Sequence, residues 1–85
     1  MNEYASYGPF SRFNLIRKTD ITGISGTGKI AVGVQWPDQT VHLYWLKTGT
    51  TGHYKNIAQL ESIHCYNDAS GQPNASVEWI DYGGK

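Results

Sequence analysis

Apolar and polar residues alternate with a period of two in several short runs, which is the strongest structural signal in the chain. In Lys29 to Trp36, Ile30, Val32, Val34 and Trp36 alternate with Ala31, Gly33 and Gln35. That spacing predicts a strand with the isoleucine, the valines and the tryptophan on its buried face. Pro37-Asp38-Gln39 reads as a turn. Beyond it Val41, Leu43 and Trp45 alternate with His42, Tyr44 and Leu46, so Lys29 to Lys47 predicts a β-hairpin. Tyr44 and Leu46 make its second face partly apolar as well, as expected where another subunit covers it. Phe13 to Arg17 predicts an earlier strand, with Phe13, Leu15 and Arg17 on one face and Asn14 and Ile16 on the other.

The period then changes. After a flexible Thr48 to Gly52 loop, His53-Tyr54-Lys55 can form a short fourth strand, and Asn56 stands where a helix N-cap belongs. Ile57, Leu60, Ile63 and His64 follow at helical spacing, predicting a helix over Asn56 to Cys65 with Ile57, Leu60 and Ile63 inward. Asn67 to Asn74 is rich in Asp, Ser, Gly, Pro and Asn and reads as a loop. Ser76 to Tyr82 predicts a last strand, Val77 and Trp79 opposing Glu78 and Ile80. The result is a mainly β protein: a small bent antiparallel sheet or SH3-like barrel of about five strands, with one short helix before the last strand. Residues 1–11 read as a flexible arm, 12–82 as a single small domain and 83–85 as a tail.

Composition narrows the function. With 85 residues, seven Lys and Arg against seven Asp and Glu, and one cysteine, the chain makes one small core without disulfides. A core of that size stabilises by only about 3–5 kcal/mol, so self-association is the expected supplement. Zero net charge argues against general nucleic-acid coating, which needs clustered cations. No apolar run approaches the length of a membrane-spanning helix. Met1 to Ser11 has neither the basic start nor the apolar centre of a secretory signal, so the expected location is cytoplasmic. The zero is also a cancellation. Arg12 to Lys55 carries six cations against Asp20 and Asp38, whereas Asn56 onward holds Glu61, Asp68, Glu78 and Asp81 against Lys85. The first two-thirds can therefore present a positive face to an anion.

The candidate chemistry sits in Ile21-Thr22-Gly23-Ile24-Ser25-Gly26-Thr27-Gly28-Lys29. Gly23 to Ile30 matches a P-loop except that Ile30 replaces the hydroxyl residue that holds magnesium, and a strand follows where a helix must begin. The dinucleotide-type reading of Gly26 to Ala31 fails on the same missing helix. Two readings remain open. Glycines at positive φ can aim successive backbone N–H groups at an anion, with Ser25, Thr27 and Lys29 adding donors. Alternatively, the glycines only permit a tight bend between two strands.

Catalytic groups do not assemble in the sequence. His64 and Cys65 are adjacent on the predicted helix, where neighbouring side chains diverge. His42 reads as a cross-strand surface residue and His53 as a loop residue. Glu78 and Asp81 lie three apart on a predicted strand and so would point to opposite faces. The histidines and the lone cysteine have no metal-ligand spacing. The chain therefore reads as a non-enzyme with no metal or cofactor. Trp36, Trp45 and Trp79 fall on predicted inward positions.

Phe13-Asn14-Leu15-Ile16-Arg17, Asp20-Ile21-Thr22-Gly23-Ile24-Ser25-Gly26-Thr27-Gly28, Ala31-Val32-Gly33-Val34 and the Asn56 to His64 segment together resemble a family of short phage and actinobacterial proteins. Its pattern is Phe-x-Leu-x-Arg, Asp-x-Ser-Gly-x-Ser-Gly-Thr-Gly, Ala-x-Gly-Val and Ser-Ile-x-x-Val-x-x-Ile-His. After His64 the family tends to a Gly-His-Gly-Gly run, where Cys65-Tyr66-Asn67-Asp68 stands here. The resemblance implies a phage setting, in which small non-enzymatic proteins act by binding. The leading expectation is a homo-oligomer that sequesters a small phosphate-bearing nucleotide through Arg17, Ser25, Gly26, Thr27, Gly28, Lys29, Tyr44 and His64. The alternatives are an inhibitor that binds a host protein and a weak single-strand nucleic-acid binder.

Overall fold

The alternating segments pair into one antiparallel sheet. A computed structural model describes residues 10–18, 27–67 and 69–81. It contains β1 (Ser11–Arg17), β2 (Gly28–Gln35), β3 (Val41–Trp45), β4 (Thr51–Tyr54), α1 (Ile57–His64) and β5 (Ala75–Trp79). The strand order is β4-β3-β2-β1-β5, with β4 and β5 at the two edges. The expected mainly β architecture is present in its open form: the sheet does not close into a barrel. Of the expected arm 1–11, residues 1–9 lie outside the described residues, as do 19–26, with most of the glycine loop, and the expected tail 83–85. Ser11, expected in the arm, is instead buried as the first residue of β1, where it pairs with Gln35.

One face of the sheet is the core. Phe13, Leu15, Ile30, Ala31, Val41, Leu43, Leu60 and Ala75 are buried together, and Trp45, Tyr54, Ile57, Val77 and Trp79 pack around them. The Trp79 ring meets Phe13 edge-on, with centroids 5.2 Å apart. Trp45 and Trp79 thus point inward as their alternation predicts. Trp36 does not: it is 39% exposed.

That difference has a single cause. Between β1 and β2 the register shifts, since Leu15 pairs with Ala31 but Ile16 pairs with Lys29, leaving Ile30 as an extra residue. This β-bulge resets the alternation of β2. Ile30 and Ala31 are both buried although adjacent. Beyond them Ala31 and Gly33 face the core, and Val32, Val34 and Trp36 turn to the other side. The predicted buried face of β2 is therefore inverted past Ile30.

Helix α1 covers the core face. The Asn56 side chain accepts a hydrogen bond from the Gln59 backbone N–H at 2.8 Å, so the predicted N-cap is in place. Leu60 is fully buried, but Ile63, expected inward, is 50% exposed. The helix instead turns Ile57, Leu60 and His64 toward the sheet, a spacing of three and four that follows the 3.6-residue turn. His64 is half-buried between Trp45, at 5.0 Å, and Tyr54, whose hydroxyl lies 2.8 Å from His64 Nε2.

Gly33 is the point of closest approach. A Cβ there would overlap the Phe13 ring and come within 2.8 Å of the His42 carbonyl oxygen. Gly33→Ala must displace a buried ring in a close-packed core, so a loss of about 2 kcal/mol is expected, a fall in Tm of roughly 10 °C. Thermal unfolding followed by circular dichroism checks this, and an unchanged Tm would refute the placement of Gly33 under Phe13.

Candidate functional site

Because α1 covers only one face, the other is left to the side chains that the bulge and the alternation send there. Strand pairing orders them into two cross-strand rows. One row runs Glu78, Asn14, Val32, Tyr44, Thr51; the other runs Arg12, Val34, His42, His53. Partners in such rows stand about 5 Å apart. The rows enclose a groove of about 470 Å³ on this open face, a size that suits a small organic ligand. Val32 and Val34 form its apolar floor. Arg12, Asn14 and Ile80 flank it toward β5, His42, Tyr44 and Thr51 toward β4, and Lys29 lines it as well.

An aromatic series borders the second row. Phe10 meets Trp36 at 5.5 Å, and the Trp36 indole N–H donates to His42 Nδ1 at 2.8 Å. An imidazole that accepts at Nδ1 carries its remaining proton on Nε2, so this bond sets the tautomer of neutral His42. His53 stacks on His42, with centroids 4.4 Å apart and planes inclined by 14°. His53 is a β4 residue paired with His42, in keeping with the short fourth strand expected to start there and not with its reading as a loop residue; β4 begins earlier, at Thr51, inside the expected Thr48 to Gly52 loop. Tyr44 is 46% exposed beside them. Flat rings next to an apolar floor and a lysine can stack a base and meet a phosphate.

Two acids organise the β5 side. Asp81 accepts hydrogen bonds from the Arg12 backbone N–H at 2.8 Å and from Nε and Nη2 at 2.9 Å each. The guanidinium holds the Asp81 carboxyl at a pKa of about 2. Glu78 accepts from the Asn14 amide nitrogen at 3.2 Å. The expectation that Glu78 and Asp81 point apart is thus corrected. Strand β5 ends at Trp79, so the alternation stops there and the chain folds Asp81 back against the same strand, β1, that Glu78 meets.

The residues predicted from sequence separate into two groups. Lys29 and Tyr44 line the groove together. Arg17 and His64 lie on the helix side. Arg17 follows Leu15 on the core face and pairs with Gly28 and Ala75. Burial holds His64 below the usual imidazole range, and the Arg17 charge adds to the effect. Burial also raises the Cys65 thiol, making it a poorer nucleophile. Gly28 has φ +77°, in the left-handed region the anion nest would require. Thr27 is exposed next to it, while Ser25 and Gly26 lie outside the described residues. Arg12, Asn14, Val34, His42 and His53 escaped the sequence reading. The signal for His42 was available, since it shares its strand face with Tyr44; its pairing with His53 needed the register across the β3–β4 loop.

The chain matches the family model described as Acb5 phage protein over residues 10–81, and so belongs to that phage protein family. Comparison with curated proteins and with solved structures finds no match.

The Arg12–Asp81 pair makes acid stability a readout of the groove's edge. Asp81 is depressed from 3.8 to about 2 in the folded chain. Its contribution is therefore complete above about pH 4 and is lost as pH falls toward 2. Asp81→Asn is expected to flatten this part of the stability–pH curve, and urea denaturation at pH 2, 3, 4 and 6 measures it. Parallel curves for the two proteins would refute the pairing.

Proposed function

We propose that this member of the Acb5 phage protein family binds a small phosphate-bearing nucleotide across the open face of its sheet, as a counter-defence protein that captures a nucleotide immune signal. The observation that supports this reading is the groove itself. Lys29, an exposed Tyr44 and His42 line the groove beside an apolar floor, and Trp36 and His53 pack against the His42 ring. Base stacking on such rings contributes about 1–3 kcal/mol per base. Lys29 supplies the phosphate charge, because Arg12 is already satisfied by Asp81. In this reading the ligand leaves the protein chemically unchanged, and a second copy of the chain closes the open side of the groove.

The His42–His53 stack favours a second reading, in which the bound nucleotide is cleaved. His53 can take the proton of an attacking hydroxyl and, as the imidazolium so formed, return it to the leaving oxygen as the phosphodiester bond breaks. His42, whose Nδ1 accepts from the Trp36 indole, keeps its proton on Nε2 and donates that N–H as a hydrogen bond to a phosphoryl oxygen.

Titration calorimetry against a panel of cyclic nucleotides and ADP-ribose derivatives tests the binding. Lys29→Glu and Tyr44→Ala should each weaken the tightest ligand by at least about tenfold, while Arg17→Ala, on the other side, should not. Absence of binding at high micromolar ligand would overturn the reading. Mass spectrometry of the recovered ligand separates the two forms: an intact nucleotide supports capture, and a product lost in His42→Ala supports cleavage.

A further inference from the structure

We infer that Asn14 selects the base of the bound ligand by accepting a hydrogen bond from a ring-edge N–H, an inference that rests on the nucleotide reading above. Asn14 stands second in the first cross-strand row, between Glu78 on β5 and Val32 on β2, and lines the groove. Its amide has two chemically different ends. A carboxylate can only accept, so the bond to Glu78 Oε1 requires the amide nitrogen to face β5. The two ends of an asparagine amide are otherwise easily exchanged. Here the neighbour decides the orientation and leaves Oδ1 as the end that is not spent on Glu78.

That oxygen is anomalous. Asn14 Oδ1 is shut off from water and has no hydrogen-bond partner among the described residues. Buried polar atoms are paired in the great majority of cases, and an acceptor left alone beside an apolar floor is a persistent penalty to the fold. Val32 and Val34 offer it no donor. A ligand N–H does. Because the oxygen is covered, the bond forms only as an entering base moves the side chains around it. The recognised chemistry is a donor on the edge of a flat ring: the exocyclic amine of adenine or the imide N–H of uracil. A site of this kind separates ligands by that one donor, because only a ligand that carries it pairs the oxygen, and the oxygen gives up no bond to water in exchange. Glu78 acts as a positioning residue, holding the amide so that its oxygen, not its nitrogen, meets the base.

The experiment compares ligands that differ by one N–H. Cyclic AMP is titrated against cyclic purine riboside monophosphate, and cyclic UMP against its N3-methyl derivative, with the whole chain, with Asn14→Val and with Glu78→Gln. Valine suits a strand position beside Val32, and Glu78→Gln keeps the size of the side chain while permitting either amide orientation. The expected result is a preference of about tenfold or more for the N–H-bearing member of at least one pair. It should vanish in Asn14→Val and shrink in Glu78→Gln. A preference that persists unchanged in both variants, or equal binding of both members of each pair by the unaltered chain, overturns the inference and leaves the nucleotide reading standing. No binding of any of the four probes, or of the wider panel above, overturns both.

Discussion

The extra residue at Ile30 governs how this protein is arranged. A strand of strict alternation would have buried Ile30, Val32 and Val34 together and exposed Ala31 and Gly33. The bulge opposite Leu15 and Ile16 breaks that arrangement after one residue. It places Ile30 and Ala31 side by side in the core, and it brings Gly33 beneath Phe13, where only a residue without a side chain fits. The same shift sends Val32 and Val34 to the opposite face, where they become the floor of a groove. Core and site are thus two consequences of one irregularity, which is the usual association of bulges with functional regions.

The helix determines which face is left available. Eight residues of α1 cover one side of a five-stranded sheet, anchored by Leu60 and by the contacts of His64 with Trp45 and Tyr54. No described element packs on the other side. A face with two central valines, an exposed tyrosine and exposed Trp36 and Ile80 is more apolar than solvation alone would favour. Its polar groups are concentrated at the edges, where β1 meets Asp81 and Glu78 and where the histidines stack. Apolar centre and polar margin together suit a ligand that is flat and greasy in one part and charged in another.

Charge follows the same division. The basic excess in the first two-thirds of the sequence is not spread evenly over the fold. Arg12 is held by Asp81, Arg17 faces His64 on the helix side, and Lys29 remains for the groove. An acid from the last third reaches back to a base from the first, so the sequence-level separation of charge is partly cancelled by folding. What persists is local: a protein of zero net charge still places Lys29 at an apolar groove.

Much of the fold was legible in the chain. Period-two runs located the first three strands and the last, with ends displaced by a few residues. Asn56 marked the start of the helix, and Trp45 and Trp79 were correctly placed inward. Of the residues that line the groove, Lys29 and Tyr44 stand among the sequence candidates, one from its place beside the glycines and the other as an aromatic on the hairpin's second face. The misreadings share a physical origin. Ile63 and His64 compete for one helix face, and a three-residue and a four-residue step fit the period nearly equally; packing against Trp45 and Tyr54 decided for His64. Local sequence fixes backbone periodicity, because neighbouring side chains and capping groups act within a turn or a strand. It does not fix register. A single inserted residue reverses every side chain beyond it, and only pairing with β1 shows that Ile30 is that residue. The groove, the His42–His53 stack and the orientation of Asn14 all depend on which residues stand opposite one another across strands distant in sequence, and that was decided by the tertiary structure alone.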